Sequence, residues 1–254
     1  MTVTDARSAL WIRRFEPAPD APVRLVCFPH AGGSATFFLE LAKDLSPDVE
    51  VLAVQYPGRQ DRRKEPLVET VTGLAESVAA ALLPWADRGL ALFGHSLGSV
   101  VAYEVARLLR DKGHEPVALF ASGRRAPSVH RTESGSHADD DTLLRALRSL
   151  GGTHPTVFDD EELLRLALPV IRADYVAAET YQYRPGPPLS CPLTMLTGED
   201  DPMVSPQDAA AWREHTSAEF DVITLPGGHF YLTEQHAAVT GAITDRLAEL
   251  TRPV

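Results

Sequence analysis

Short apolar runs alternate with longer amphipathic stretches along almost the whole chain, and this rhythm restricts the fold more than any other feature. Val23 to Phe28, Glu50 to Gln55, Leu90 to Gly94, Val117 to Ser122, Pro192 to Thr197 and Phe220 to Leu225 read as strands. Most are nearly continuous apolar runs, the pattern of parallel strands covered on both faces. Thr36 to Leu45, Glu69 to Leu83, Leu97 to Lys112, Pro206 to Glu214 and Thr233 to Leu250 read as helices between them. Such alternation predicts βαβ units, hence an α/β fold with a mainly parallel central sheet flanked by helices. Trp11 to Phe15 is expected to add an antiparallel edge strand.

The rhythm breaks once, from Arg124 to Ser190, where no strand is evident. A polar stretch, Ser128 to Asp141, includes Ser134, Gly135 and Ser136. Two helical patterns follow, Asp141 to Leu150 and Asp159 to Glu179. Asp159 or Asp160 stands near the start of the second, where a carboxylate favours the exposed N–H groups of the first turn. The run Tyr183-Arg184-Pro185-Gly186-Pro187-Pro188 stops that helix. We read 124–190 as a helical lid inserted over the strand ends, supplying walls of a substrate pocket. Residues 1–254 are expected to form a single domain around it.

Composition excludes several function classes. A length of 254 residues with 44% hydrophobic and 23% charged residues suits a soluble globular enzyme with a sizeable core. The net charge of -11 disfavours nucleic-acid binding and attraction to an anionic membrane, both of which need a basic surface. No apolar run approaches the ~20 residues that span a bilayer, and the segment from Met1 to Arg14 lacks a signal peptide's apolar core. The two cysteines, Cys27 and Cys191, sit in or beside apolar runs and form no metal or C-x-x-C pattern. Reduced, buried thiols are expected, which fits the cytoplasm.

The chemistry concentrates at Gly94-His95-Ser96-Leu97-Gly98. A G-x-S-x-G run is common by chance, but this one follows an apolar strand and opens a helix without internal Gly or Pro, as a nucleophile elbow does. The elbow holds Ser96 in a strained turn above the sheet, with the helix N-terminus beneath it favouring negative charge. A serine hydroxyl needs a base, and in this arrangement the acid and then the histidine follow it in the chain. His229 fits best, because Leu225-Pro226-Gly227-Gly228 makes a bendable loop after the last strand. The acid belongs to Gly198-Glu199-Asp200-Asp201-Pro202; Asp201, before the turn-forming proline, is favoured, with Asp200 as the alternative and Glu199 facing solvent. An oxyanion needs two backbone donors. Leu97 N–H supplies one, and the loop Pro29-His30-Ala31-Gly32-Gly33-Ser34 the other, from Ala31 or alternatively His30.

With these residues in place, the sequence resembles the free-standing type II thioesterases of polyketide synthase and nonribosomal peptide synthetase pathways. Phe28-Pro29-His30-Ala31-Gly32-Gly33, followed by Phe37 and Phe38, is similar to the family's oxyanion loop. Gln55-Tyr56-Pro57-Gly58-Arg59 resembles its Y-P-G-R segment, Gly94 to Gly98 its G-H-S-x-G elbow, and Ala102-Tyr103-Glu104 the helix after it. Gly198 to Pro202 resembles the acid loop and Leu225 to Phe230 the G-G-H-F loop, so the matches run in order from Phe28 to Phe230. The resemblance implies an α/β-hydrolase fold with a helical lid, no cofactor and no metal, and an acid at Asp201. It implies hydrolysis of stalled or wrong acyl groups from the phosphopantetheine thiol of carrier proteins. The partner is then a transiently bound acyl or peptidyl carrier protein, with nothing demanding more than a monomer. For docking, Arg59-Gln60-Asp61-Arg62-Arg63-Lys64 is the most basic segment and reads equally as a solvated loop or a patch for an acidic carrier. Phe37, Phe38, Tyr175 and Tyr181 either line an acyl channel or pack the lid.

Overall fold

The structure is a computed structural model that describes residues 8–131, 135–151 and 160–251. Seven strands form one sheet: β1 (Ile12–Arg13), β2 (Val23–Phe28), β3 (Val49–Val54), β4 (Gly89–His95), β5 (Ala118–Ser122), β6 (Leu193–Gly198) and β7 (Phe220–Leu225). Their spatial order is β1-β3-β2-β4-β5-β6-β7. Only the short β1 runs antiparallel, as the sequence suggests, although it is two residues rather than the five expected. Every residue of β2, β3, β5 and β6 is buried, which is why these strands read as continuous apolar runs. β7, at the far edge, is largely exposed.

Two charged residues interrupt the apolar pattern inside the sheet. Arg24 and Glu50 are register partners on β2 and β3 and form a buried ion pair at 3.0 Å. Arg24 also reaches Asp87 and the Trp85 carbonyl, so its charge and donors are satisfied.

The helices follow the expected order with small shifts. α1 (Leu39–Leu45) is preceded by a 3₁₀ turn at Ala35–Phe38, and α2 spans Val71–Leu82. α3 (Leu97–Arg110) leaves the elbow and buries ten of its fourteen residues against the sheet and α2. In 124–190, α4 (Asp140–Leu150) and α5 (Glu161–Thr180) occupy the two expected helical positions. Asp160 caps α5 by accepting from the N–H groups of Glu162 and Leu163; Asp159, like Ser134 and residues 1–7, lies outside the described residues. Pro169 sits within α5. The helix expected over Pro206 to Glu214 is α-helical only at α6 (Pro206–Ala210) and tightens to 3₁₀ at Ala211–His215. The last expected helix divides into α7 (Tyr231–Glu234) and α8 (His236–Thr251).

The order of strands decides where a site can form. The chain builds outward from β2 to β3, then crosses back to place β4 on the other side of β2. At such a switch point the loops leaving the carboxyl ends diverge and open a crevice. Phe28 and Gly94 are register partners at these ends, so the loop after β2 and the elbow after β4 lie side by side.

Candidate active site

Ser96 occupies the turn between β4 and α3 with φ 54° and ψ -119°. A non-glycine residue in this region typically costs ~1–3 kcal/mol and persists only when its surroundings enforce it. The enforcement is visible. A Cβ at Gly94 would stand 2.1 Å from the Gly98 carbonyl oxygen, and one at Gly98 would stand 2.1 Å from that of Phe28. Ser99, which lies outside the motif, pins the turn from below: its single hydroxyl proton is shared between the carbonyls of Gly94 (2.7 Å) and Ser122 (2.8 Å), and its Oγ accepts from Ser122 N–H. The side chain of Ser96 makes no capping bond, so the hydroxyl is not spent on ending a helix.

His229 and Asp201 meet across the ends of β6 and β7. Nδ1 of His229 lies 2.9 and 3.0 Å from the two Asp201 carboxylate oxygens, and both residues are buried. Such a contact places the ring proton on Nδ1 and leaves Nε2 as an acceptor. Asp201 also accepts from the Met203 N–H at 2.8 Å, which holds the carboxylate in place. Glu199 and Asp200 point to solvent.

Ser96, His229, Ala31 and His30 line one small cavity of about 30 Å³. Leu147 and Leu150 from α4, Tyr175 from α5, and Phe230 close it. The N–H groups of Ala31 and Leu97 donate to no protein acceptor among the described residues. Larger cavities, of about 340 and 350 Å³, lie elsewhere; neither is lined by Ser96 or His229. No cluster of three metal-ligating side chains occurs among the described residues.

The other imidazoles near the site have a different character. Burial pushes His30 down to about 3, and the neighbouring His229 and Arg59 act in the same direction. Burial also holds His95 well below the usual imidazole range. Both therefore stay neutral at neutral pH, which spares a positive His229 from repulsion. The His95 ring lies tilted against His229, centroids 5.0 Å apart, and is oriented through Nδ1 by Ser122 Oγ (2.9 Å), which in turn meets Tyr231 OH (2.7 Å). Ser122 and Tyr231 carry no sequence signal, since their roles come from contacts between distant segments.

The aromatic and basic candidates divide. Phe38 is core, Phe37 packs edge-on against His30, and Tyr175 reaches the cavity. Tyr181 donates its hydroxyl to Glu104 instead. The basic run is not the uniformly solvated or outward-facing segment expected. Arg59 and Arg62 are buried; Arg59 pairs with Asp174, while Arg62 pairs with Glu65, donates to the Gln55 carbonyl and lies over Trp11. Only Arg63 and Lys64 face solvent as cations. Cys27 and Cys191 are free and buried, and burial pushes the Cys191 thiol up to about 12.

A family profile described as a thioesterase domain matches residues 23–247. The chain belongs to the thioesterase family. It is 51% identical over 242 residues to thioesterase PikA5 of Streptomyces venezuelae, covering 94% of this chain and 86% of that one. The solved structure of the type II thioesterase BorB, from the borrelidin biosynthetic cluster, is 51% identical with a TM-score of 0.88, covering 94% of this chain and 98% of the other. RedJ, a thioesterase of the prodiginine pathway in Streptomyces coelicolor, superimposes with a TM-score of 0.85 at 38% identity, covering 91% and 87%. This thioesterase is a thioester hydrolase with the α/β-hydrolase architecture of those structures.

Proposed function

We propose that this thioesterase removes stalled or wrong acyl groups from the phosphopantetheine arm of carrier proteins in polyketide or nonribosomal peptide assembly. The observation that carries the reading is His229, bonded to Asp201 and lining one cavity with Ser96, in a chain half identical to a type II thioesterase. In the proposed mechanism the thioester carbonyl oxygen points at the N–H groups of Ala31 and Leu97. His229 takes the Ser96 proton as the hydroxyl attacks, and Asp201 stabilises the imidazolium. The tetrahedral intermediate collapses with loss of the pantetheine thiolate, which accepts the proton from His229. Water, deprotonated by His229, then attacks the acyl-serine and releases the free acid. Loss of either oxyanion donor is expected to cost ~10²–10³ in rate.

The cavity beside Ser96, at about 30 Å³, is far below the roughly 300 Å³ or more of a typical ligand pocket. An acyl chain cannot share it with Leu147 and Leu150, so segment 124–190 acts in this reading as a lid that withdraws for substrate. The proposed partner is a phosphopantetheinylated acyl or peptidyl carrier protein, met transiently by a monomer. Two free, buried thiols accord with a reducing cytoplasmic setting.

The test presents one acyl group in two forms, on a phosphopantetheine carrier protein and as an oxygen ester, and follows release by mass spectrometry. Faster release from the carrier, abolished by Ser96→Ala, is the expected result. Equal or faster cleavage of the oxygen ester would make the protein a general esterase.

A further inference from the structure

The buried pair between Arg59 and Asp174 lies outside the Ser–His–Asp apparatus yet touches its loop. Asp174 comes from α5 and is 2% exposed. Its Oδ2 accepts from an Arg59 guanidinium nitrogen and also, at 2.7 Å, from the backbone N–H of Gly32. Arg59 donates with its other terminal nitrogen to the Pro57 carbonyl at 2.9 Å and lies over the Tyr56 ring. One carboxylate oxygen thus joins three segments distant in sequence: the loop after β2, the loop after β3, and α5.

Gly32 is the third residue of a tight turn, closed by Gly33 N–H donating to the His30 carbonyl at 2.9 Å, and its φ is +76°. In such turns the central peptide, here between Ala31 and Gly32, can rotate to give an alternative turn type, and glycine accepts either. The Asp174 carboxylate rewards only the arrangement in which Gly32 N–H faces it. Packing supports the same arrangement, because Ile171 lies where a Cβ on Gly32 would be, at 2.7 Å.

Stability alone does not account for the pair. Replacing a buried ion pair by apolar groups of similar size is often neutral or stabilising. What apolar groups could not do is hold a backbone N–H in a chosen direction. We propose that Asp174, itself held by Arg59, is a positioning residue that pins this turn through the Gly32 N–H and thereby holds in place the preceding His30–Ala31 peptide, whose N–H is the oxyanion donor. This rests on the assignment of Ala31 N–H to the oxyanion site. In this role Arg59 serves the interior of the enzyme rather than a docking surface.

The experiment uses the full chain with two substrates, an acyl carrier-protein thioester and a p-nitrophenyl ester, since the oxyanion site serves both. Two double variants remove the ion pair without leaving an unpaired charge. R59M/D174N keeps an amide oxygen to accept from Gly32; R59M/D174L keeps none. Melting temperatures are read beside kcat and KM, all at a temperature where each variant is folded. The expected result is a kcat about 10- to 100-fold lower in R59M/D174L, with KM within about twofold, and a kcat in R59M/D174N restored to within about fivefold of the parent. The single variant Asp174→Ala should lose kcat like R59M/D174L and melt earlier, because it leaves Arg59 buried and unpaired. Parental kcat in folded R59M/D174L, or equal losses in both double variants, would overturn the proposal. If the parent cleaves the nitrophenyl ester but not the carrier thioester, the substrate assignment fails, and the ester kinetics still decide the role of Asp174.

Discussion

Asp200 and Asp201 are neighbours in the chain with opposite surroundings. Asp200 lies in solvent, while Asp201 is buried against His229 and receives the Met203 N–H. An amide at 201 could no longer hold the Nδ1 proton as a carboxylate does, which in the serine-protease template costs about 10⁴ in kcat. Asp201→Asn should therefore lower kcat for acyl release by about 10³- to 10⁴-fold, whereas Asp200→Asn should stay within about twofold. Steady-state kinetics on one thioester compares the two; similar losses would reject Asp201 as the orienting acid. Motif and spacing pointed to Ser96, His229 and Asp201 because each sits on a short loop directly after an apolar strand. They could not point to Ser99, whose hydroxyl meets the Ser122 backbone 23 residues on, or to Ser122, whose hydroxyl meets His95 and Tyr231, 27 and 109 residues away. Nor could they reveal Arg59, since a charge run reads as solvated and its partner is 115 residues further on.

Among the elements, α3 and α4 make a direct contrast. α3 buries ten residues against strands and α2, whereas α4 buries only Leu143 and Leu147, which join Ile171 in a small cluster of their own. At ~1.5–3 kcal/mol for each large apolar side chain removed from water, α4 is held by a fraction of what holds α3. Segments with few buried contacts open first. Hydrogen exchange at neutral pH should show α4 amides exchanging at least about tenfold faster than those in the centre of α3. Equal protection would mean that α4 is a fixed wall rather than a moving one. Strand positions were legible throughout, with β2 and β7 matching their expected bounds, because each apolar run ends at a turn-forming or polar residue. Helix ends were less so: no glycine or proline stands at Gln235, where the last helix divides, or at Ala211, where the α-helix tightens, so neither break leaves a mark in the sequence.

At the scale of the whole molecule, buried neutral histidines tie stability to pH. His30 is held down to about 3 and His215 to about 4, both chiefly by burial, and His95 well below its usual range for the same reason. The unfolded chain takes up these protons near pH 6.5 while the native state refuses them, so stability is full above that value and falls as pH drops below it. His30 alone would contribute a slope of about 1.4 kcal/mol per pH unit between its two values. Asp174, raised by burial, acts in the opposite sense but is a single group. Thermal melts at pH 7 and pH 5 should show a lower Tm at pH 5; an unchanged Tm would mean that these rings can be protonated in the folded state. The interior of α5 adds a mechanical consequence. Pro169 has no N–H to offer the Arg165 carbonyl, so the helix lacks a rung there. Beyond it, Asp174 bolts the helix to the loop after β2; before it, Leu163 and Leu166 stand 42% and 59% exposed. A beam fixed at one end and notched partway bends at the notch, so any movement of the proposed lid is expected to hinge at Pro169 and to leave the loop after β2 in place.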